Sequence, residues 1–266
     1  MNRFQRDTAV RALGGGRFAA RIDPGWFVVR GPNGGYVAAI LLRALAETVA
    51  DPGRRARSLT VHFTSPPAAG DAEIRTTLER AGRSVSTASA RLEQDGKLRA
   101  LAIAAFGAPR PGPSFSQVPV PEVAPPERAF PFPPPAHPIP IRDRYESRLA
   151  FGAPGARGAE AATGGWLRLR EDPGAVDAPL LAAYTDAWPP AIFTRLDPAE
   201  VLGGVPTLDL TVHFRAPWPG QLDPRDFVLV AFRSRLAREG FVEEDGEIWT
   251  RDGVLLAQSR QLAVIG

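Results

Sequence analysis

Apolar residues recur mainly at every second position of this chain, in short runs cut by glycine, proline and aspartate. Those runs predict strands at 18–22, 26–29, 56–63, 72–81, 84–94 and 97–106, and again at 161–169, 208–214, 227–237, 240–250 and 254–264. Two stretches break the alternation. Residues 36–49 are apolar at helical spacing and follow Pro32-Asn33-Gly34-Gly35; residues 179–193 are similarly apolar but carry Asp186 and Pro189-Pro190. The strand connections are too short for parallel crossovers, so the strands pair antiparallel. The expected fold class is α+β, with a curled antiparallel sheet wrapped on one helix.

That arrangement is expected twice. The pentapeptide Leu-Thr-Val-His-Phe occurs at 59–63 and at 210–214, 151 residues apart, and each copy is followed three residues later by a proline, Pro66 or Pro217. In each copy Val and Phe share one face of a strand while Thr and His share the other. Each copy has an apolar helix-like stretch before it and an Asp-Gly hairpin signal after it, Asp95-Gly96 and Asp252-Gly253. Between the copies, 13 of the 28 prolines fall within 108–140, a composition that favours an extended spacer. The expected organisation is a first unit at 1–107, a proline-rich linker at 108–145 and a second unit at 146–266.

Composition narrows the function. The chain has 266 residues, 44% of them hydrophobic, and no apolar run approaches the ~18 residues of a membrane span. Arg3, Arg6, Arg11, Arg17 and Arg21 interrupt the start, which does not read as a secretory signal. Zero cysteines removes disulfides, thiolate ligands and a Cys nucleophile, and fits a cytoplasmic setting. Net charge is only +3 and the densest basic run is Arg54-Arg55-Ala56-Arg57, which argues against nucleic acid and suits at most a phosphorylated small ligand.

Few residues offer chemistry. His62, His137 and His213 show no metal-ligand spacing, and His62 and His213 occupy the same place in the repeat, so a structural role is expected for them and no metal. There is no Gly-x-Ser-x-Gly elbow and no phosphate-binding Gly-rich loop; Gly14-Gly15-Gly16 reads as a hairpin. Asp186 stands out as a carboxylate in an otherwise apolar helix, where burial would raise its pKa toward that of a general base. The competing reading is a cap at the irregularity set by Pro189-Pro190. Gln258 and Gln261 lie in the last strand, where the first copy has Leu101 and Ala104.

The Gly34-Gly35-Tyr36 helix start, the Leu-Thr-Val-His-Phe-x-x-Pro strands and the Asp-Gly hairpins resemble the acyl-CoA thioesterase II (TesB-like) family, double-hotdog enzymes that hydrolyse fatty acyl-CoA. The resemblance covers nearly the whole chain except the linker. It implies a water held and activated by an Asp, a Thr and a Gln, which fall on Asp186, Thr207 and Gln261, with Thr211 and Gln258 as rivals. It implies no cofactor, an acyl-CoA substrate and a possible homodimer. Gly34 and Gly35 are the expected substrate-facing backbone donors, and Arg54, Arg55 and Arg57 are candidates for the CoA phosphates. Hotdog hydratases carry a histidine in the helix region, and neither helix here has one. The alternative is a non-catalytic acyl-ligand binding protein of the same fold.

Overall fold

The structure is a computed structural model that describes residues 1–135, 137–196 and 204–266. It opens with a short helix α1 (Arg3–Asp7) and the hairpin β1 (Arg11–Gly14) and β2 (Arg17–Ile22), turned by Gly14, Gly15 and Gly16 at positive φ. Helix α2 (Gly34–Val49) follows, then β3 (Arg55–Phe63), β4 (Gly70–Ala81), β5 (Val85–Gln94) and β6 (Lys97–Gly107). The second half holds β7 (Phe130–Pro131), β8 (Tyr145–Phe151), β9 (Ala161–Leu169), helix α3 (Ala178–Tyr184) and β10 (Thr207–Phe214). It ends with β11 (Val228–Ser234), β12 (Ala237–Arg238), β13 (Phe241–Thr250) and β14 (Leu255–Val264).

All pairings are antiparallel, and the strands run β1-β2-β4-β5-β6-β3-β10-β14-β13-β11-β9-β8-β7, with β12 beside β13. The join between the halves is the repeated pentapeptide pairing with itself. Thr60 lies opposite Thr211, Leu59 opposite Val212 and Val61 opposite Leu210, and the two threonine hydroxyls are 3.0 Å apart. Leu59, Val61, Leu210 and Val212 are fully buried on one face, as the two-residue period requires.

Helix α2 is buried almost all round, from Gly35 to Leu45 apart from Arg43, because the sheet curls over it and α3 packs on it. Asn33 caps it, its Oδ1 accepting from the Tyr36 N–H at 3.0 Å. Fully buried Ile40, Leu41, Leu42 and Leu45 each contribute roughly 1.5–3 kcal/mol to this packing.

Three expectations change. Residues 26–29 form no strand: Pro24–Trp26 is a 3-10 turn, and Phe27 makes only an isolated bridge to Pro32. The second helical stretch is short, with α3 ending at Tyr184 and a separate 3-10 turn at Ala191–Thr194, and Pro189-Pro190, which have no N–H to donate, lie between them. Strands β7 and β8 went unforeseen beside the proline-rich stretch. That stretch lies along the outer face of the second half of the sheet. Val118, Val123 and Ala129 pack on Trp166, Phe227, Leu229 and Trp249, and Trp166 Nε1 donates to the Ala124 carbonyl at 2.8 Å. Phe132 meets Trp188 edge-on at 4.9 Å, whereas Phe115 remains exposed.

Candidate active site

Asp186 follows α3 at the point where the chain turns toward Pro189-Pro190. Its carboxylate faces the N-terminus of α2. Gly35 N–H donates to its Oδ2 at 3.0 Å, and Asn33 Nδ2 reaches the same oxygen at 2.7 Å and the Asp186 carbonyl at 2.6 Å. The positive end of a 16-residue helix is a natural seat for a carboxylate. The approach demands glycine. A Cβ on Gly35 would lie 2.7 Å from the Ala183 carbonyl oxygen, and one on Gly34 would lie 3.0 Å from both Asp186 Oδ2 and the Phe63 ring. Burial pushes Asp186 up to about 6, against the pull of hydrogen bonds from Gly35, Gly34, Gln261 and Asn33.

Thr207 and Thr211 are four residues apart and should share a face of β10. They do not, because a β-bulge lies between Thr207 and Asp209. Thr211 stays on the outer face against Thr60, while Thr207 turns inward and its hydroxyl donates to Gln261 Oε1 at 2.9 Å. Gln261 sits opposite Leu210 and is buried, whereas Gln258, three residues earlier, faces the other way opposite His213. Thr207 and Gln261 therefore meet, with Asp186 within electrostatic reach of Gln261, and neither Gln258 nor Thr211 joins them.

A fourth polar residue belongs to the cluster and escaped the sequence reading. Glu244 on β13 lies opposite Gln261; its Oε1 accepts from Gln261 Nε2 at 2.8 Å and its Oε2 accepts from the Ala191 N–H. In the sequence it hides within Glu243-Glu244-Asp245, which looks like an exposed acidic run. Only the alternation Val242, Glu244, Gly246, Ile248 marks it as inward-facing. Burial pushes it up to about 7, and the Asp186 charge adds to that.

The first-half counterparts are stripped of these groups. Gln261 and Ala104 occupy equivalent positions opposite Leu210 and Leu59, and Glu244 and Ala88 face them in turn. The bulge recurs between Ala56 and Ser58, placing Ala56 where Thr207 stands. Gly35 is 151 residues before Asp186.

The Gly35 N–H is aimed at Asp186, and Gly34 bears on the same carboxylate. The arginine trio is not brought to the cluster. It sits at the start of β3, whose far end, Phe63, borders the site roughly 26 Å away at about 3.3 Å per residue. Arg54 is bound to Asp51, the Gly82 carbonyl and Ser86 Oγ, and Arg57 donates to the Gly107 carbonyl, while Arg55 is exposed. No helix among the described residues is long and apolar enough to cross a membrane.

Residues 22–107 match the model of the acyl-CoA thioesterase N-terminal domain, and residues 120–265, more than half the chain, match that of the acyl-CoA thioesterase C-terminal domain. Among solved structures, a conserved hot dog fold protein of unknown function from Alicyclobacillus acidocaldarius is 29% identical, with a TM-score of 0.86 over 100% of this chain and 98% of that one. A candidate thioesterase II from Thermobifida fusca is 27% identical at a TM-score of 0.85, with the same coverage. The acyl-CoA thioesterase II TesB2 of Mycobacterium marinum, 22% identical at 0.80 over 99% of this chain and 98% of that one, shares the fold. A comparison with curated protein sequences gave no match. The chain belongs to the acyl-CoA thioesterase family, hydrolases of the thioester bond built on the hotdog fold.

Proposed function

We propose that this enzyme hydrolyses acyl-CoA with a water molecule activated by Asp186 and oriented by Thr207 and Gln261, releasing the free acid and CoA. The observation that carries this reading is the convergence of a carboxylate raised to about 6 with a Thr207–Gln261 hydrogen bond of 2.9 Å, in a chain of the acyl-CoA thioesterase family. A thioester carbonyl is electrophilic enough to need no covalent intermediate, so an oriented water suffices. Asp186 accepts a proton as the water oxygen attacks the carbonyl carbon. Collapse of the tetrahedral intermediate breaks the C–S bond, and the proton on Asp186 passes to the departing thiolate. Thr207 gives its hydroxyl hydrogen to Gln261, which leaves its oxygen free to accept the second hydrogen of the water.

In the same proposal the chain is two tandem hotdog units, 1–107 and 146–266, joined by the linker 108–145. The second unit carries the catalytic groups, and the first contributes the α2 N-terminus that holds Asp186. Arg55 is the member of the arginine trio with an exposed charge to offer the CoA phosphates. Free-thiol release across a panel of aliphatic and aromatic acyl-CoA substrates tests the reading. Tight acyl-CoA binding without thiol release from any member would favour the non-catalytic alternative.

A further inference from the structure

Glu244 is the buried carboxylate that the mechanism leaves unused. It lies in an inward-facing row with Val242, Gly246 and Ile248 and is 6% exposed. A carboxylate there carries a desolvation cost that an apolar residue would avoid. No salt bridge offsets it among the described residues; its hydrogen-bond partners are the Ala191 N–H and Gln261 Nε2.

The value of such a group lies in what an amide cannot do alone. A primary amide is nearly symmetric in shape, so Gln261 could present either its oxygen or its nitrogen to Thr207. Thr207 does not decide, because a hydroxyl donates or accepts equally well. Ionised Glu244 does decide, since a carboxylate accepts and cannot donate, so its Oε1 takes the amide N–H, whereas the protonated acid would donate to the amide oxygen instead. Gln261 Nε2 is committed to Glu244 at 2.8 Å, which turns the amide oxygen the other way. Oε1 is then the atom left for the Thr207 hydroxyl.

We propose that Glu244 is a positioning residue of this hydrolase, clamping the Gln261 amide in the single orientation that turns the Thr207 oxygen toward the attacking water. The proposal rests on the water-activation reading above. A second observation supports it independently of hydrogen bonding. Ala88 stands at the equivalent position in the first half, alongside Ala56 and Ala104 at the places of Thr207 and Gln261. Glu244 is missing from the copy that lacks the other two, whereas the purely structural elements, the bulge and the paired pentapeptide, are kept in both.

The test is a double-mutant cycle on the full-length enzyme, using the acyl-CoA that the wild type hydrolyses fastest. A glutamine at 244 has one oxygen for two donors, so E244Q releases the clamp. It should lower kcat on the order of 10- to 100-fold with KM little changed. In a Q261A background the same substitution should cost no more than about twofold, because Glu244 acts through Gln261. Multiplicative losses in the double variant, or an E244Q enzyme with wild-type kcat, would overturn the clamp. Should E244Q not fold, the wild type still decides. Its Gln261 side-chain amide, assigned by its disappearance in Q261A, should show two distinct, exchange-protected hydrogens in NMR spectra, and exchange as fast as an exposed glutamine refutes the proposal. A wild type that releases no thiol from any acyl-CoA defeats the hydrolytic reading, while the amide measurement continues to judge the clamp separately.

Discussion

Gly35 donates its backbone N–H to the carboxylate of Asp186 at 3.0 Å, and the two residues are 151 positions apart, the spacing of the repeated pentapeptide. Gly35 opens α2 whereas Asp186 follows the end of α3, and the two meet. Thr60 and Thr211, also 151 apart, meet in the same way at 3.0 Å. The cluster is consequently composite: the second half supplies the side chains and the first half supplies the helix end that fixes them.

Asp186→Asn should remove the general base while preserving acceptors for Gly35 and Asn33. A loss of 10²–10⁴-fold in kcat is expected, with an unchanged circular dichroism spectrum. In the wild type, kcat should fall as the pH drops through about 6, where Asp186 takes up its proton. A rate that stays flat from pH 8 to pH 4.5 would remove Asp186 from the base role. The titratable neighbours of Asp186 here are Glu244 and Tyr145, both electrostatically linked to it.

Stability should respond to pH with the opposite sign from an ordinary ion-paired protein. Asp186 and Glu244 are raised to about 6 and about 7, so the folded chain binds their protons more tightly than the unfolded chain does. Their stabilising contribution is complete below the ordinary carboxylate range and is lost as pH rises to about 7, on the order of 3 kcal/mol per group. The lowered carboxylates Glu73 and Asp223, both at about 2, act below that window. Wild-type Tm should thus decline from pH 5 to pH 8, and E244Q should shrink that decline. Equal declines in the two proteins would contradict the assignment.

Gly35→Ala should be costly for a substitution in a helix, where alanine ordinarily helps. The new methyl group would press on the Ala183 carbonyl at 2.7 Å and force α2 away from Asp186. We expect about 1–3 kcal/mol of destabilisation, read from urea unfolding, together with a drop in kcat. A variant as stable and active as the wild type would show that the helix start tolerates displacement.

The bulge in β10 makes a paired prediction. Thr207→Val should lower kcat sharply, whereas Thr211→Val should leave it near wild type and remove only the outer-face contact with Thr60. Likewise Gln261→Ala should lower kcat more than Gln258→Ala. Reversed effects in either pair would mean that the wrong face of the strand had been chosen.

Stoichiometry should be one site per chain. Ala56, Ala88 and Ala104 provide no side chain able to hold or activate water at the equivalent place. Calorimetric titration with a non-hydrolysable acyl-CoA analogue should saturate at one ligand per 28.5 kDa chain. Two equal sites would refute the asymmetry.

Most of the strands, the buried helix α2 and the repeat are legible in the residues because they are local or periodic, whereas Asp186, Thr207 and Gln261 are brought together only by the family resemblance. A two-residue alternation fixes a strand, an apolar run after an Asn cap fixes a helix, and a recurring pentapeptide needs no coordinates to be seen. Tertiary structure alone decided the rest. The bulge that turns Thr207 inward adds a residue to a count the pattern assumes to be regular, so periodicity ranked Thr211 as its equal. Glu244 is distinguished from its acidic neighbours only by which face of β13 closes on Gln261. Gly34 and Gly35 were legible as a helix start, but their aim at Asp186 depends on α3 arriving from 150 residues away. The arginine trio is legible as a basic run, but its place a strand's length from Asp186 is set by the fold.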